Sequence, residues 1–352
     1  TGMLAVRSMP DGAKVYLNDE LITATDDTIS SLQPEQYNLR IEKEGFESWT
    51  KEVSVYPELV TDITAVLVLQ SPRLEPLTNV DVKAFALSTN QNNIVFLTKN
   101  HEEPGIWTLP LTGSPLNIFR NNTRLLVPDT AIATPSVGEN IWWSKGDNEL
   151  LVQMNETGYL LYKLDAAGNA SSRPESITDV QEVFDRWDTE WKEDFVKNKI
   201  EAIDNQQDIP EWIKEKALAG QTTWSPDEEK FFFITQGTEN PNEIMLNVYN
   251  SETPLPVGEK RIYESLTLPD PASTKVYWYS DSYHFILVEK TPNTTDNYTI
   301  SLIRVDGTNR TPIYTGALAS DQAFPTPGGD KIVVLTWLKE KSQTNLYAIS
   351  IR

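Results

Sequence analysis

"TWSPDEEKFFFIT", residues 223–235, places an aromatic residue before a serine, then a short polar turn, then an apolar strand. The phrase recurs as "FALSTNQNNIVFLT" (85–98), "WWSKGDNELLVQM" (142–154), "YWYSDSYHFILVE" (277–289) and "FPTPGGDKIVVLT" (324–336). A second apolar strand usually follows, as in "GIWTLPL", "GYLLYKL", "IMLNVYN", "YTISLIRV" and "NLYAISI", and turns such as Asp306-Gly307 close several of these. A lone four-stranded sheet cannot bury both of its faces, so copies of this kind pack around an axis. The copies lie roughly 50 residues apart, a blade length for propellers, except for one larger gap. Five copies predict a mainly β protein with a five- or six-bladed β-propeller over residues 71–352. The chain end "NLYAISIR" can pair with the strand near "RLEPLT" to close the ring.

Residues 1–70 follow a different rule. In "QYNLRIEKEGF", Tyr37, Leu39 and Ile41 alternate with Asn38, Arg40 and Glu42, and in "TDITAVLVLQ" the inward set is Ile63, Ala65, Leu67 and Leu69. Strict alternation marks strands buried on one face. Gly45 sits where a turn needs positive φ. The expectation is a small antiparallel β-sandwich, joined to the propeller through the proline-containing stretch "QSPRLEP" (70–76).

Two resemblances follow from these motifs. "MPDGAKVYLNDELI" (9–22) and "SSLQPEQYNLRIEKEGFESWTKEVSV" (30–55) resemble a PEGA domain, whose signature turn is matched by Pro10-Asp11-Gly12-Ala13. Leu32, Pro34, Tyr37, Lys43, Gly45 and Phe46 match the second half of that pattern, while Glu35-Gln36 and "TATDD" depart from it at turns. The recurring aromatic-Ser-turn-strand phrase resembles TolB-like and WD40-like propeller repeats. The first resemblance implies a bacterial or archaeal envelope module with no catalytic residues of its own. Together they imply an extracytoplasmic protein of the cell envelope or surface, membrane-anchored in its full-length form.

The larger gap, residues 175–220, reads as an inserted helical hairpin. Phe184, Trp187, Trp191 and Phe195 step by three or four and make one apolar stripe. Thr178 and Gln181 have capping-box spacing. Pro210 opens a second helix, "PEWIKEKALAG", ended by Gly220. The stripe either packs on the propeller flank or grips a partner. Phe184, Trp187, Trp191 and Trp212 are therefore the candidate partner-binding residues. Trp143, Trp224 and Trp278 precede the serine position of the phrase, and that equivalence predicts packing between blades.

Composition narrows the chemistry. The formal charge of -21 repels nucleic-acid phosphates and anionic lipid. With no cysteine, thiolate metal sites, thiol nucleophiles and disulfides are excluded. Nucleotide-binding glycine loops, G-x-S-x-G and H-E-x-x-H are missing, and the two histidines, His101 and His284, read as structural. No apolar run approaches the roughly 20 residues of a membrane span. The chain starts in mid-pattern at Thr1, so any membrane anchor is expected upstream. The expectation is a non-enzymatic binding or scaffold protein without cofactor, its propeller presenting a face to a protein or a cell-surface glycan. The alternative is a propeller hydrolase acting on glycans or peptides through acidic residues in its funnel.

Overall fold

The structure, a computed structural model, describes residues 1–111, 122–205, 209–219, 222–237, 240, 243–268 and 272–352. The front unit comprises β1 (Gly2–Met9), β2 (Lys14–Leu17), β3 (Glu20–Ala24), β4 (Asp27–Leu32), β5 (Gln36–Glu42), β6 (Trp49–Ser54) and β7 (Val60–Val66). They form two sheets, ordered β4-β1-β7 and β3-β2-β5-β6. Leu4, Val6, Val15, Leu39, Ile41 and Ile63 are buried between them, on the faces that alternation assigns. Gly45 holds φ 84° at its turn.

One feature corrects the antiparallel expectation. β1 and β7 pair in parallel, Met3 opposite Val60 through Met9 opposite Val66. The chain changes sheet after β1, β3, β4 and β6, so β7 returns beside β1 by crossing over, not by a hairpin. Alternation reports which face is buried and carries no information on direction.

Five four-stranded antiparallel sheets follow among the described residues. Blade 1 holds Ala84–Leu87, Asn93–Thr98, Gly105–Pro110 and Arg124–Pro128; blade 2 holds Asn140–Trp143, Glu149–Gln153, Tyr159–Lys163 and Glu175–Ile177. Blade 3 holds Thr223–Trp224, Lys230–Gln236, Ile244–Asn250 and Ile262–Leu268; blade 4 holds Thr274–Trp278, His284–Lys290, Asn297–Arg304 and Thr311–Ala317. Blade 5 combines Ala323–Pro325, Lys331–Thr336 and Asn345–Ser350 with β8 (Arg73–Pro76), so both ends of the propeller stretch share one sheet. Tyr347 faces Pro76 and Ser350 faces Arg73, the ring closure expected from "NLYAISIR".

The recurring phrase is one repeated turn. The carbonyls of Ser88, Ser144, Ser225, Tyr279 and Thr326 each accept from the amide three residues on, at 2.8–3.2 Å. Those third residues, Gln91, Asp147, Glu228, Ser282 and Gly329, all have φ between 56° and 68°. In blade 4 the serine position is thus taken by Tyr279, not Ser280. The Tyr279 hydroxyl donates to the Gly329 carbonyl of blade 5. A Cβ on Gly329 would lie 2.3 Å from the Ser280 hydroxyl, so only glycine fits that contact.

Four seams between blades are direct apolar contacts. Ala86 and Leu97 meet Ile141 and Val152 (blades 1 and 2), and Phe232 and Leu246 meet Trp278 and Phe285 (blades 3 and 4). Ile286 and Val288 meet Ile332 and Val334 (blades 4 and 5), and Val333 and Leu346 meet Phe85 and Phe96 (blades 5 and 1). Between blades 2 and 3 the insertion intervenes. It consists of α1 (Val180–Trp191), a π-helical turn (Lys192–Val196), α2 (Lys197–Asp204) and α3 (Glu211–Leu218). Val183 and Trp187 of α1 pack on Leu151 and Leu161 of blade 2. Ile203 of α2 and Ile213 and Ala217 of α3 pack on Phe231, Phe233 and Tyr249 of blade 3. The cap of α1 is Asp179, which accepts from the Glu182 amide, in place of the Thr178–Gln181 box. Gly220 lies outside the described residues.

The front unit sits on blades 4 and 5. Val66 and Val68 enter their shared core, and the Leu69 amide donates to the Ile351 carbonyl. Asn309 mimics a strand by bonding both backbone groups of Thr50, at 3.0 and 2.8 Å. Lys51 pairs with Asp306 beside it.

Candidate functional site

The insertion and blade 2 enclose a groove. Trp142 and Trp143 are consecutive in a strand, so their rings point to opposite faces. Trp143 joins the blade 1 seam and donates its indole N–H to the Ala86 carbonyl at 3.3 Å. Trp142 turns toward α1, 5.8 Å edge-to-face from Phe184. These rings, with Lys145, Gln181, Asp185, Trp187 and Asp188, line a cavity of about 400 Å³. Gln181, Phe184, Asp185 and Asp188 follow the helical i, i+3, i+4, i+7 rule, so one face of α1 forms the wall.

The polar groups are held in place. Lys145, in the repeated turn of blade 2, donates to Asp188 at 3.2 Å and lies 4.3 Å over the Trp191 ring. The Lys192 ammonium, with help from Lys145 and against some burial, keeps Asp188 below the usual carboxylate range. Gln181 donates to Asp185 at 2.8 Å. The floor is fixed by Glu149, which accepts from the Trp187 indole at 2.6 Å and from Arg186 at 2.9 Å. Burial pulls the Arg186 guanidinium down, but the carboxylates of Glu149 and Glu190 outweigh it and raise it overall.

The four candidate partner-binding residues separate. Trp187 is only 5% exposed, and its partner is blade 2 of its own chain, so it is withdrawn from any external partner. Phe184 is half-buried and lines the groove. Trp191 is half-buried, stacked at 5.0 Å on Phe195, which meets Trp224 of blade 3 edge-to-face. Trp212 stands 47% exposed on α3, 5.7 Å from Phe233. Phe184, Trp187, Trp191 and Phe195 thus run from blade 2 to blade 3 across the insertion.

Glu149 escaped the sequence reading, although a signal for it exists. The second strand of each blade starts with a polar residue: Asn93, Glu149, Lys230, His284 and Lys331. Four of the five are buried, each with a charged partner. His284 pairs with Asp281 at 2.7 Å, and His101 packs against Trp107. Among the described residues no three His, Cys, Asp or Glu side chains are placed to hold a metal ion. No described helix is long and apolar enough to cross a membrane.

Residues 1–71 match the family model of the PEGA domain. No curated protein matches the chain. Among solved structures it is similar to TolB from Acinetobacter baumannii, at 12% identity and TM-score 0.28, over 90% of this chain and 60% of that one. It is also similar to the periplasmic gluconolactonase PpgL of Pseudomonas aeruginosa (10% identity, 90% of this chain and 97% of that one, TM-score 0.28). A third is the oligogalacturonate lyase of Vibrio parahaemolyticus (8% identity, 80% and 94%, TM-score 0.31). The chain spans 60% of the length of the Acinetobacter protein. The chain thus joins a PEGA domain to a propeller, and the propeller assignment rests on its own strand pairing.

Proposed function

We propose that this chain is a non-enzymatic, extracytoplasmic binding protein that takes a glycan in the groove between blade 2 and α1. The PEGA domain is its spacer toward a membrane anchor upstream. The observation that carries the reading is the groove itself. Ring faces attract polarised C–H edges, and Trp142 and Phe184 offer such rings beside Gln181, Asp185 and Asp188, which can bond hydroxyls. Two carboxylates against Lys145, on a chain of charge -21, favour neutral or amino sugars over acidic ones. The PEGA match supports an extracytoplasmic setting.

The test is tryptophan fluorescence titrated with neutral oligosaccharides such as chitooligosaccharides. Saturable quenching is expected, weakened about tenfold in Trp142→Ala, as removal of an aromatic anchor does. Hydrolysis of the same oligosaccharides by the protein would support the hydrolase alternative. Capture of a protein with no response to any sugar would move the function off this groove. Recovery of the full-length gene product in the cytosolic fraction would contradict the extracytoplasmic reading.

A further inference from the structure

A second cavity, of about 460 Å³, lies on the far side of α1 from the groove. At about 100° per residue, Gln181, Phe184, Asp185 and Asp188 fall on one face of that helix. Asp179, Glu182, Val183 and Arg186 fall on the opposite one, and they face Leu161 and Lys163 of the third strand of blade 2 and Glu175 and Ile177 of the fourth. The cavity volume falls within the roughly 300–1,000 Å³ of small-molecule sites.

Glu149 forms its back wall. The Glu149 side chain is 6% exposed, and both of its hydrogen bonds, from Trp187 at 2.6 Å and Arg186 at 2.9 Å, fall on Oε2. Oε1 has no partner among the described residues, yet it is not sealed in the core as the Tyr162 hydroxyl is. It keeps accessible surface, and it opens on the cavity that Glu149 lines. A carboxylate oxygen held this deep, with no donor on it, calls for one from the cavity.

The rest of the lining selects the donor. Arg186 is spent on Glu149 and Glu190, and Asp179 on the cap of α1. Glu175 and Glu182 form no ion pair among the described residues, and neither does Lys163. Two unmatched carboxylates and the open oxygen of Glu149 thus face one unmatched ammonium, and the surplus favours a cation. A bare metal ion does not fit, because among the described residues no three carboxylates are placed to hold one. Leu161, Ile177 and Val183 add an apolar strip, which suits methylene groups and gives a hydrated ion nothing.

An alkylammonium meets all three conditions: its N–H groups donate, its charge matches and its carbons cover the strip. We infer that the cavity between α1 and blade 2 binds a small organic amine, an ammonium group carried on a short hydrocarbon chain. The ammonium donates to Glu149 Oε1, and the chain lies over Leu161, Ile177 and Val183. The site shares no lining residue with the groove, so either assignment can fail alone.

The experiment is isothermal titration calorimetry of the full chain with cadaverine near neutral pH, where both of its amines are charged. One saturable site is expected, not displaced by an equal concentration of calcium chloride. Glu175→Gln and Glu182→Gln, both at exposed positions, should each weaken it about threefold, and Lys163→Gln should tighten it about threefold. Glu149→Gln should weaken it about tenfold; if that variant does not fold, the double variant Glu175→Gln, Glu182→Gln carries the same loss. Glu44→Gln, at an exposed carboxylate of the front unit, and Trp142→Ala, at the groove, should leave it unchanged. No saturable binding at millimolar concentrations, displacement by calcium, or a loss in Glu44→Gln or Trp142→Ala would each overturn the assignment. So would weaker binding in Lys163→Gln, the mark of a zwitterion held at both ends.

Discussion

The seam between blades 3 and 4 and the seam between blades 2 and 3 begin from the same residue type at the same repeat position. Trp278 donates its indole N–H to the Thr223 carbonyl of the preceding blade at 3.0 Å, as Trp143 does to Ala86. Trp224 has no such strand before it. Its indole N–H is buried without a partner, and Phe195 of the insertion meets its ring instead. The repeated turns show the same substitution. Asp147 of blade 2 caps two amides of blade 1, and Ser282 of blade 4 accepts from Asp227 of blade 3. Glu228 of blade 3 reaches Lys199 of α2, and Lys145 of blade 2 reaches Asp188 of α1. The helices have taken over the ring and charge contacts that a neighbouring blade would make, but not the indole hydrogen bond. A side chain's role in this repeat is therefore set by what the next unit supplies, and the one seam filled by helices is where a groove remains open.

If the insertion is a structural wedge, the largest loss comes from its blade 2 anchor. Trp187→Ala should destabilise the protein by about 3–5 kcal/mol in denaturant unfolding, from the lost apolar burial and the lost indole hydrogen bond to Glu149. A loss under about 1 kcal/mol would mean that α1 rests only loosely on blade 2. The junction with the PEGA domain sharpens the contrast, because it adds a buried ion network to the apolar contacts of Val66 and Val68. Asp306→Asn should cost about 3 kcal/mol at pH 7 by leaving Arg304 and Lys51 without their shared carboxylate. The folded-state pKa of Asp306 is depressed. Its contribution is therefore complete above the unfolded carboxylate range near 4 and disappears as pH falls through the lower folded value. The mutational loss should shrink accordingly in unfolding measured at pH 3 and below, and a pH-independent loss would deny Asp306 that role.

Much of this architecture is legible in the residues. Alternation in "QYNLRIE" gives the buried faces of the sandwich, and the recurring phrase gives five copies, for five or six blades, and the closing partner of "NLYAISIR". What escapes has a common cause. Strand direction in β1 and β7, the cap at Asp179 and the exchange of serine for Tyr279 depend on neighbours distant in sequence. The site residues are the clearest case. The apolar stripe of α1 is visible as periodicity, but only the fold shows that Trp187 is spent on blade 2 while Phe184 remains at the groove. The buried Arg304 network joins residues from β6, blade 3 and blade 4, and no local spacing reveals it. The polar residue opening each second strand was the available hint, since a charge at the start of an apolar strand requires a partner.

The most direct test of the wedge is the paired unfolding of Trp278→Phe and Trp224→Phe. Each removes an indole N–H, but only Trp278 has an acceptor to lose. The account predicts that Trp278→Phe loses about 1–3 kcal/mol more than Trp224→Phe, whose buried, unpartnered donor costs nothing to delete. Equal losses, or a larger one for Trp224→Phe, would mean that blade 2 reaches blade 3 directly and that the helices do not fill the seam.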